Sequence, residues 1–110
     1  MESGRHERIA PYYAVIFTSK RTDGDNGYGS MADRMEKLAR EQPGFLGVES
    51  VRDAYGEGIT ISYWESLEAI SAWKRNEAHQ AAQYKGRQEW YQQYKVRICR
   101  VEREYGFDSM

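Results

Sequence analysis

Apolar positions divide the chain into short runs with the period of a strand and longer runs with the period of a helix. Apolar and aromatic side chains occupy both parities of residues 12–18, which predicts a central strand covered on both faces. Apolar and polar residues alternate across residues 59–64 and again from residue 94 to about 103, as in strands with one buried face. A polar, glycine-rich loop over residues 19–27 follows the first strand.

Two further segments carry apolar residues at helical spacing. One stripe consists of Met31, Met35 and Leu38, and the other of Leu67, Ile70 and Trp73. We expect Ser30 to cap the first helix, Ser66 to cap the second, and Pro43-Gly44 to end the first. A break near residues 75–77 is expected in the second helix, before a further helical piece that reaches about residue 90.

With residues 45–53 as the second strand, the predicted elements follow the order β-α-β-β-α-β. That order predicts an α+β protein of ferredoxin-like plan, a four-stranded antiparallel sheet with its helices on one face. No element remains to cover the other face, so we expect a second copy to cover it, as a homodimer closing into a dimeric α+β barrel. Residues 11–105 would form this domain, between an N-terminal tail, residues 1–10, and a C-terminal tail, residues 106–110.

Charge and cysteine content restrict the partners that the domain is expected to have. The 16 basic and 17 acidic side chains leave a net charge of -1, so neither nucleic acid nor an anionic membrane is expected as a partner. No apolar run approaches the roughly 20 residues of a membrane span, and we expect a cytoplasmic protein. Cys99 is the only cysteine, which argues against a metal site built from thiolates and favours a buried, inert thiol.

Several short motifs occur in a fixed order along residues 12–105. They are Gln42-Pro43-Gly44-Phe45 with Leu46-Gly47-Val48, Ile61-Ser62-Tyr63-Trp64-Glu65-Ser66, Ala72-Trp73-Lys74, Asn76-Glu77-Ala78-His79, and the closing strand from Tyr94 to Tyr105. In this order they resemble the antibiotic biosynthesis monooxygenase superfamily, the dimeric α+β barrel proteins. The resemblance implies the fold and several activities: oxygenases that use neither metal nor flavin, haem-degrading monooxygenases, and proteins of no known activity. Because one fold hosts all of these, the function has to be argued from the site.

His79 is the candidate catalytic residue. It is the only histidine inside the domain, since His6 lies in the tail, and histidine can act as a base near neutral pH without a large pKa shift. In a cofactor-independent oxygenase such a base removes a proton from a phenol or quinol, and the resulting anion passes an electron to O₂. Asn76 would orient the substrate. The alternative is that His79 is an exposed or hydrogen-bonded histidine without a catalytic role.

Aromatic residues are the candidate walls of a substrate pocket. Nine Tyr, three Trp and three Phe make up 14% of the chain, so rings must build much of the core or of a pocket. We expect a ring-lined cleft for a small, flat aromatic ligand, formed by Trp64, Trp73, Tyr13, Tyr63 and Phe17. The alternative for the tryptophans is packing, with Trp73 between helix and sheet and Trp64 at a dimer rim.

Two other functions stay open. One is a non-enzymatic small-molecule-binding or stress-response module that uses the same pocket. The other is haem binding or degradation, for which the resemblance implies an Asn on the first strand and a His about ten residues beyond Trp73. The first strand here reads Ala14-Val15-Ile16-Phe17, and the expected ligand position falls at Gln83. We therefore expect no cofactor, with haem as the exception to test.

Overall fold

The computed structural model describes residues 10–25, 27–83 and 90–108, apart from the side chains of residues 79–83. It contains six elements, which are β1 (Tyr12–Arg21), α1 (Tyr28–Arg40), β2 (Phe45–Arg52), β3 (Glu57–Trp64), α2 (Leu67–Gln83) and β4 (Tyr91–Val101). The predicted βαββαβ order is therefore confirmed. The expected tail over residues 1–10 and the last two residues of the C-terminal tail lie outside the described residues.

The strands form one antiparallel sheet in the order β2-β3-β1-β4, the ferredoxin-like arrangement. The register pairs Val15 with Ser62 on β3 and with Ile98 on β4. The first strand thus lies inside the sheet, as its apolar residues on both parities predicted. Strand β1 extends beyond its predicted end, and β3 and β4 begin before their predicted first residues, because the pairing continues to Lys20–Glu57 and Arg21–Tyr91. Strand β4 ends at Val101, before the expected end at about residue 103.

The start of α1 differs from the expectation. The helix begins at Tyr28 after Gly27, whose φ of 84° is left-handed, and no side chain caps it at Gly27. Ser30 lies inside the first turn, so the prediction of Ser30 as the N-cap is wrong. Asp25 satisfies the free amides instead: its carboxylate accepts hydrogen bonds from the backbone N–H groups of Gly27 and Gly29, both at 3.1 Å.

The second helix begins as expected and then runs on. The Ser66 hydroxyl oxygen accepts a hydrogen bond of 3.0 Å from the N–H of Ala69, which confirms Ser66 as the cap. The break expected near residues 75–77 is wrong, since α2 is continuous to Gln83. That stretch contains neither Gly nor Pro, the residues that most strongly interrupt helices. Its polar side chains are therefore compatible with a continuous helix. The further helical piece expected up to residue 90 falls mainly on residues 84–89, outside the described residues.

The core lies between the sheet and the two helices. Its buried residues are Val15, Ala39, Trp64, Ile70 and Trp73. Trp64 is completely buried and Ile70 is 2% exposed, which rules out the alternative of Trp64 at an exposed rim. The stripe predicted for α2 therefore packs through Ile70 and Trp73, while Leu67 at its beginning is half exposed.

The sheet has a second face, turned away from α1 and α2, which we call the open face. Cross-strand pairs on it join Ala14 to Tyr63, Ile16 to Ile61 and Ala14 to Cys99. Cys99 is exposed, so the expectation of a buried thiol is wrong for the single chain. The reason is that β4 is an edge strand and no helix of the described chain packs over this face.

Among the described residues, no helix is long and apolar enough to cross a membrane.

Candidate functional site

A cavity of about 210 Å³ lies between the sheet and the two helices. Its floor consists of residues of the four strands, namely Val15, Phe17, Phe45, Val48, Ser50, Thr60, Ser62, Tyr91 and Val96. They share one face because the register pairs Val15 and Val48 with Ser62 and pairs Phe17 with Thr60 and Val96. On β1, β2 and β3 the intervening residues Ile16, Glu49 and Ile61 point to the open face.

The helices form the roof of the cavity. From α1 the lining residues are Tyr28, Met31, Ala32, Met35, Glu36 and Ala39, and from α2 they are Trp73, Lys74 and Glu77. The α1 residues follow one another at steps of three, one, three, one and three, which is a single stripe of an α-helix. Met31 and Met35 contribute flexible thioether side chains to this roof, so its α1 part can adapt to an irregular apolar ligand.

Two clusters of aromatic rings enclose the cavity at opposite ends. In the first, Trp64 stacks on Trp73 with ring centres 5.9 Å apart, and Phe45 meets Trp64 edge-on at 5.4 Å. In the second, Tyr91 contacts both Phe17, at 5.4 Å, and Tyr28, at 5.8 Å. Offset and edge-to-face pairs of this kind restrict the rings. Aromatic rings therefore form part of the cavity wall at both places.

Tyr28 is held by cationic groups from the strands. The Arg21 guanidinium lies 3.7 Å from the centre of the Tyr28 ring, and it also donates a hydrogen bond of 2.9 Å to the carbonyl of Trp90. Arg52 lies 5.8 Å from the same ring and donates to the Ser19 hydroxyl at 2.9 Å. These contacts join the beginning of α1 to the ends of β1 and β2, which positions the Tyr28 wall.

The charged groups of the cavity come from the helices. Lys74 Nζ lies 3.2 Å from Glu77 Oε1, and their side chains are 39% and 25% exposed. On the other helix, Glu36 pairs with Arg40 at 2.9 Å with both side chains about half exposed. The Lys74–Glu77 pair is thus the better shielded of the two. Solvent screens it less, and its charges act more strongly on a bound molecule.

Hydroxyl groups of the strands add polar positions on the floor. Ser62 Oγ accepts a hydrogen bond of 2.9 Å from Trp64 Nε1, which fixes the indole behind the cavity. Ser50 and Thr60 lie opposite each other on β2 and β3. Within the described part of the chain their hydroxyl groups make no side-chain hydrogen bond. The floor therefore offers two adjacent hydroxyl groups to a ligand.

The structure brings some of the sequence-predicted aromatic residues to the cavity and not others. Phe17 and Trp73 line it. Trp64 lies behind Trp73, and Tyr13 packs against the core from one side. Tyr63 is on the open face, where its hydroxyl donates a hydrogen bond of 2.6 Å to Glu49 Oε1.

The two predicted polar residues have different outcomes. Asn76 is partly buried on α2 but is not among the residues that line the cavity. Position 79 belongs to α2, while the side chain of His79 lies outside the described part of the chain. The role of His79 as a base stays a prediction.

Three charged residues of the cavity were missed by the sequence reasoning: Glu36, Lys74 and Glu77. Glu36 was placed on another face of its helix, although it follows Ala32 by four and Met35 by one and so borders the same stripe. Glu77 follows Trp73 by four, which is the helical signal that could have found it.

Within the described ranges, no group of three or more His, Cys, Asp or Glu residues could hold a metal ion.

Comparison with known proteins identifies relatives of this chain. The family model described as antibiotic biosynthesis monooxygenase matches residues 29–85, which include β2, β3, α2 and all of α1 except Tyr28, and hence the rest of the cavity roof. The uncharacterized protein YqjZ of Bacillus subtilis is 57% identical over 99 residues, which cover 90% of this chain and 87% of that protein.

Solved structures share the fold at low sequence identity. SnoaB, a cofactor-independent oxygenase from Streptomyces nogalater, superposes with a TM-score of 0.66 at 12% identity, covering 91% of this chain and 100% of that one. The protein PA3566 of Pseudomonas aeruginosa gives a TM-score of 0.67 at 17% identity, covering 90% and 100% of the two chains. Likeness at this level of identity establishes the fold and not the reaction.

Proposed function

The chain belongs to the antibiotic biosynthesis monooxygenase family, and from this premise we propose that it is a monooxygenase acting on a small aromatic compound. The substrate is a phenol or quinol that binds in the cavity between the sheet and the helices. The reaction uses O₂ and requires neither a metal nor a flavin.

The cavity itself is the observation that supports this proposal. It is lined by apolar and aromatic side chains with a small number of polar groups, as is usual for a small-molecule site. Its aromatic walls, Phe17 and Trp73 among them, lie at its ends. A flat, electron-rich ring would fill such a space while its hydroxyl group meets one of the polar positions.

The substrate and O₂ together account for all atoms and electrons of the proposed reaction. A base takes the hydroxyl proton of the phenol, and the anion transfers one electron to O₂. The substrate radical and superoxide then combine at a ring carbon that bears hydrogen, opposite the hydroxyl group or next to it. Loss of water from the adduct leaves a quinone, with one oxygen atom of O₂ in the product and the other in water. The substrate supplies all four electrons, so no external reductant is needed.

Residue roles follow from the sequence and the cavity together. His79 is proposed as the base. Trp73 and Phe17 are proposed as the walls in direct contact with the ring, with Trp64 and Tyr13 supporting them from behind. Tyr63 is proposed to belong to the open face and not to the cavity wall. We propose that a second copy of the chain covers this face in a homodimer.

Oxygen consumption is the test of this function. The purified protein would be mixed with a panel of one- and two-ring phenols and quinols in an oxygen electrode, with the uncatalysed oxidation subtracted. We expect turnover with at least one compound and formation of a quinone product. His79→Ala should lose at least about tenfold of the rate, since a positioned base contributes about 100- to 10,000-fold.

Two results would contradict the proposal. Compounds that raise the melting temperature without any oxygen uptake would identify the protein as a binding module. A saturable Soret band on titration with haem, with oxidation of haem in the presence of a reductant, would identify a haem-degrading enzyme instead.

A further inference from the structure

The Lys74–Glu77 pair has no part in the function described so far. We propose that it is the polar end of the cavity and binds the hydroxyl group of a phenol with one or two rings. The Glu77 carboxylate accepts a hydrogen bond from that hydroxyl group, and Lys74 holds the carboxylate in place. This inference rests on the proposed function, since it specifies the substrate of the same cavity.

The first argument is the position of the pair. Trp73, Lys74 and Glu77 all line the cavity, and Glu77 lies one helical turn beyond Trp73 on α2. Trp73 is 6% exposed, so the pair adjoins a buried aromatic wall. A ring stacked near Trp73 would bring a substituent on its edge towards Glu77.

The second argument is the chemistry of the pair. A carboxylate accepts hydrogen bonds only, and a charged acceptor forms a stronger hydrogen bond than a neutral one. The Glu77 side chain is 25% exposed, so water can reach its remaining lone pairs. A ligand that displaces this water without donating a hydrogen bond would lose affinity, whereas a hydroxyl group replaces the lost bond. The site should therefore distinguish a phenol from its methyl ether.

Lys74 contributes a second effect. Its ammonium group lies 3.2 Å from Glu77 Oε1, three residues away along the helix. This contact restricts the rotamers of the carboxylate. Lys74 is a positioning residue in this proposal, because it acts through Glu77.

The third argument is size. An apolar cavity of about 150 Å³ is known to hold benzene, and the present cavity has a volume of about 210 Å³. The additional space fits one more fused ring or a few substituents. Two-ring phenols are therefore the probes of choice.

Glu36 is the weaker candidate for the same role. It is 51% exposed and already paired with Arg40 at 2.9 Å, and Arg40 does not line the cavity. A ligand at Glu36 would be largely in solvent, where a hydrogen bond contributes little beyond the bond to water that it replaces.

The test compares two probes that differ by one methyl group, 2-naphthol and 2-methoxynaphthalene. Calorimetric titration gives the ratio of their affinities for the protein. Because hydrogen bonds to charged groups are worth about 1.5–3 kcal/mol, we expect the wild type to bind 2-naphthol at least about tenfold more tightly. Glu77→Met should bring the ratio to about 1, because its side chain has a similar length and no acceptor.

Two further variants separate position from charge. Glu68→Met removes a carboxylate from the exposed side of the same helix, and its ratio should equal that of the wild type. Lys74→Met should lower the ratio and Lys74→Arg should restore it, which a merely structural role of Lys74 would not produce. Thermal unfolding of each variant checks that it is folded.

The outcomes are distinct from those of the oxygen test. Equal affinity of the wild type for the two probes, no binding of either probe, or an unchanged ratio in Glu77→Met would each overturn the role of Glu77. A ratio that depends on Glu77, in a protein that consumes no oxygen with any phenol, would leave this inference standing and overturn the proposed monooxygenase.

Discussion

Trp73 belongs to the core and to the cavity at the same time. Its ring is 6% exposed, stacks on the fully buried Trp64, and forms one wall of the cavity. The same residue therefore contributes to the stability of the fold and to the shape of the site. At this position a substitution has to be judged by both effects.

Replacement of Trp73 by alanine should separate these effects. Trp73→Ala removes a buried ring and should lower the free energy of unfolding by about 3–5 kcal/mol, as measured by urea denaturation. Trp73→Phe keeps an aromatic wall and should cost less than half of that. An unchanged unfolding midpoint in Trp73→Ala would contradict the assignment of this ring to the core.

The turn between α1 and β2 fixes how the helix returns to the sheet. Gly44 has a φ of 85°, and its carbonyl accepts a hydrogen bond of 2.8 Å from the N–H of Glu65 at the end of β3. A Cβ at Gly44 would lie 2.7 Å from Cβ of Ala69 on α2. Glycine is thus required for the backbone conformation and for the close approach of α2.

Two alanine substitutions can measure these requirements separately. Gly27 has nearly the same φ, 84°, but nothing lies within 4 Å of a Cβ at that position. Gly27→Ala should therefore lower the free energy of unfolding by about 1–2 kcal/mol, the cost of placing a side chain in the left-handed conformation. Gly44→Ala should lose this amount and about 1–3 kcal/mol more, because the new methyl group meets Ala69. Equal losses in chemical denaturation would show that α2 moves away freely.

The whole molecule has an exposed sheet face that a single chain leaves uncovered. A cleft of about 700 Å³ crosses it, lined in part by Val51, Ile59, Lys95 and Arg97. Val51 is 72% and Ile59 43% exposed. Apolar side chains on a face without a covering layer are typical of a surface that associates, which is the basis for proposing a homodimer.

A mass measurement tests that association. Light scattering should give about twice the chain mass of 12.9 kDa, and Ile59→Glu on the open face should shift the protein towards the monomer because it introduces a charge into the interface. Leu67→Glu is the matched control. Leu67 is 50% exposed at the beginning of α2, on the other side of the sheet, so the mass should not change. A wild-type protein with the mass of one chain would contradict the dimer.

Much of the architecture follows from local patterns in the sequence. The two-residue and helical periods predict the order of the six elements, and Ser66 and Pro43-Gly44 mark helix ends because their preferences act within a few residues. The position of β1 inside the sheet follows from its apolar residues on both parities. Trp73 could also be assigned to the space between helix and sheet from its helical spacing.

Other features were decided only by the tertiary structure, because they depend on how distant segments meet. Alternation along β3 separates Trp64 from Tyr63, but only the packing of the sheet puts Trp64 in the core and Tyr63 on the open face. A helical stripe does not reveal which polar residues at its border face a cavity, so Lys74 and Glu77 became candidates only once α2 was docked. Cys99 is exposed in the single chain because β4 lies at the sheet edge, a consequence of strand order that no local pattern contains.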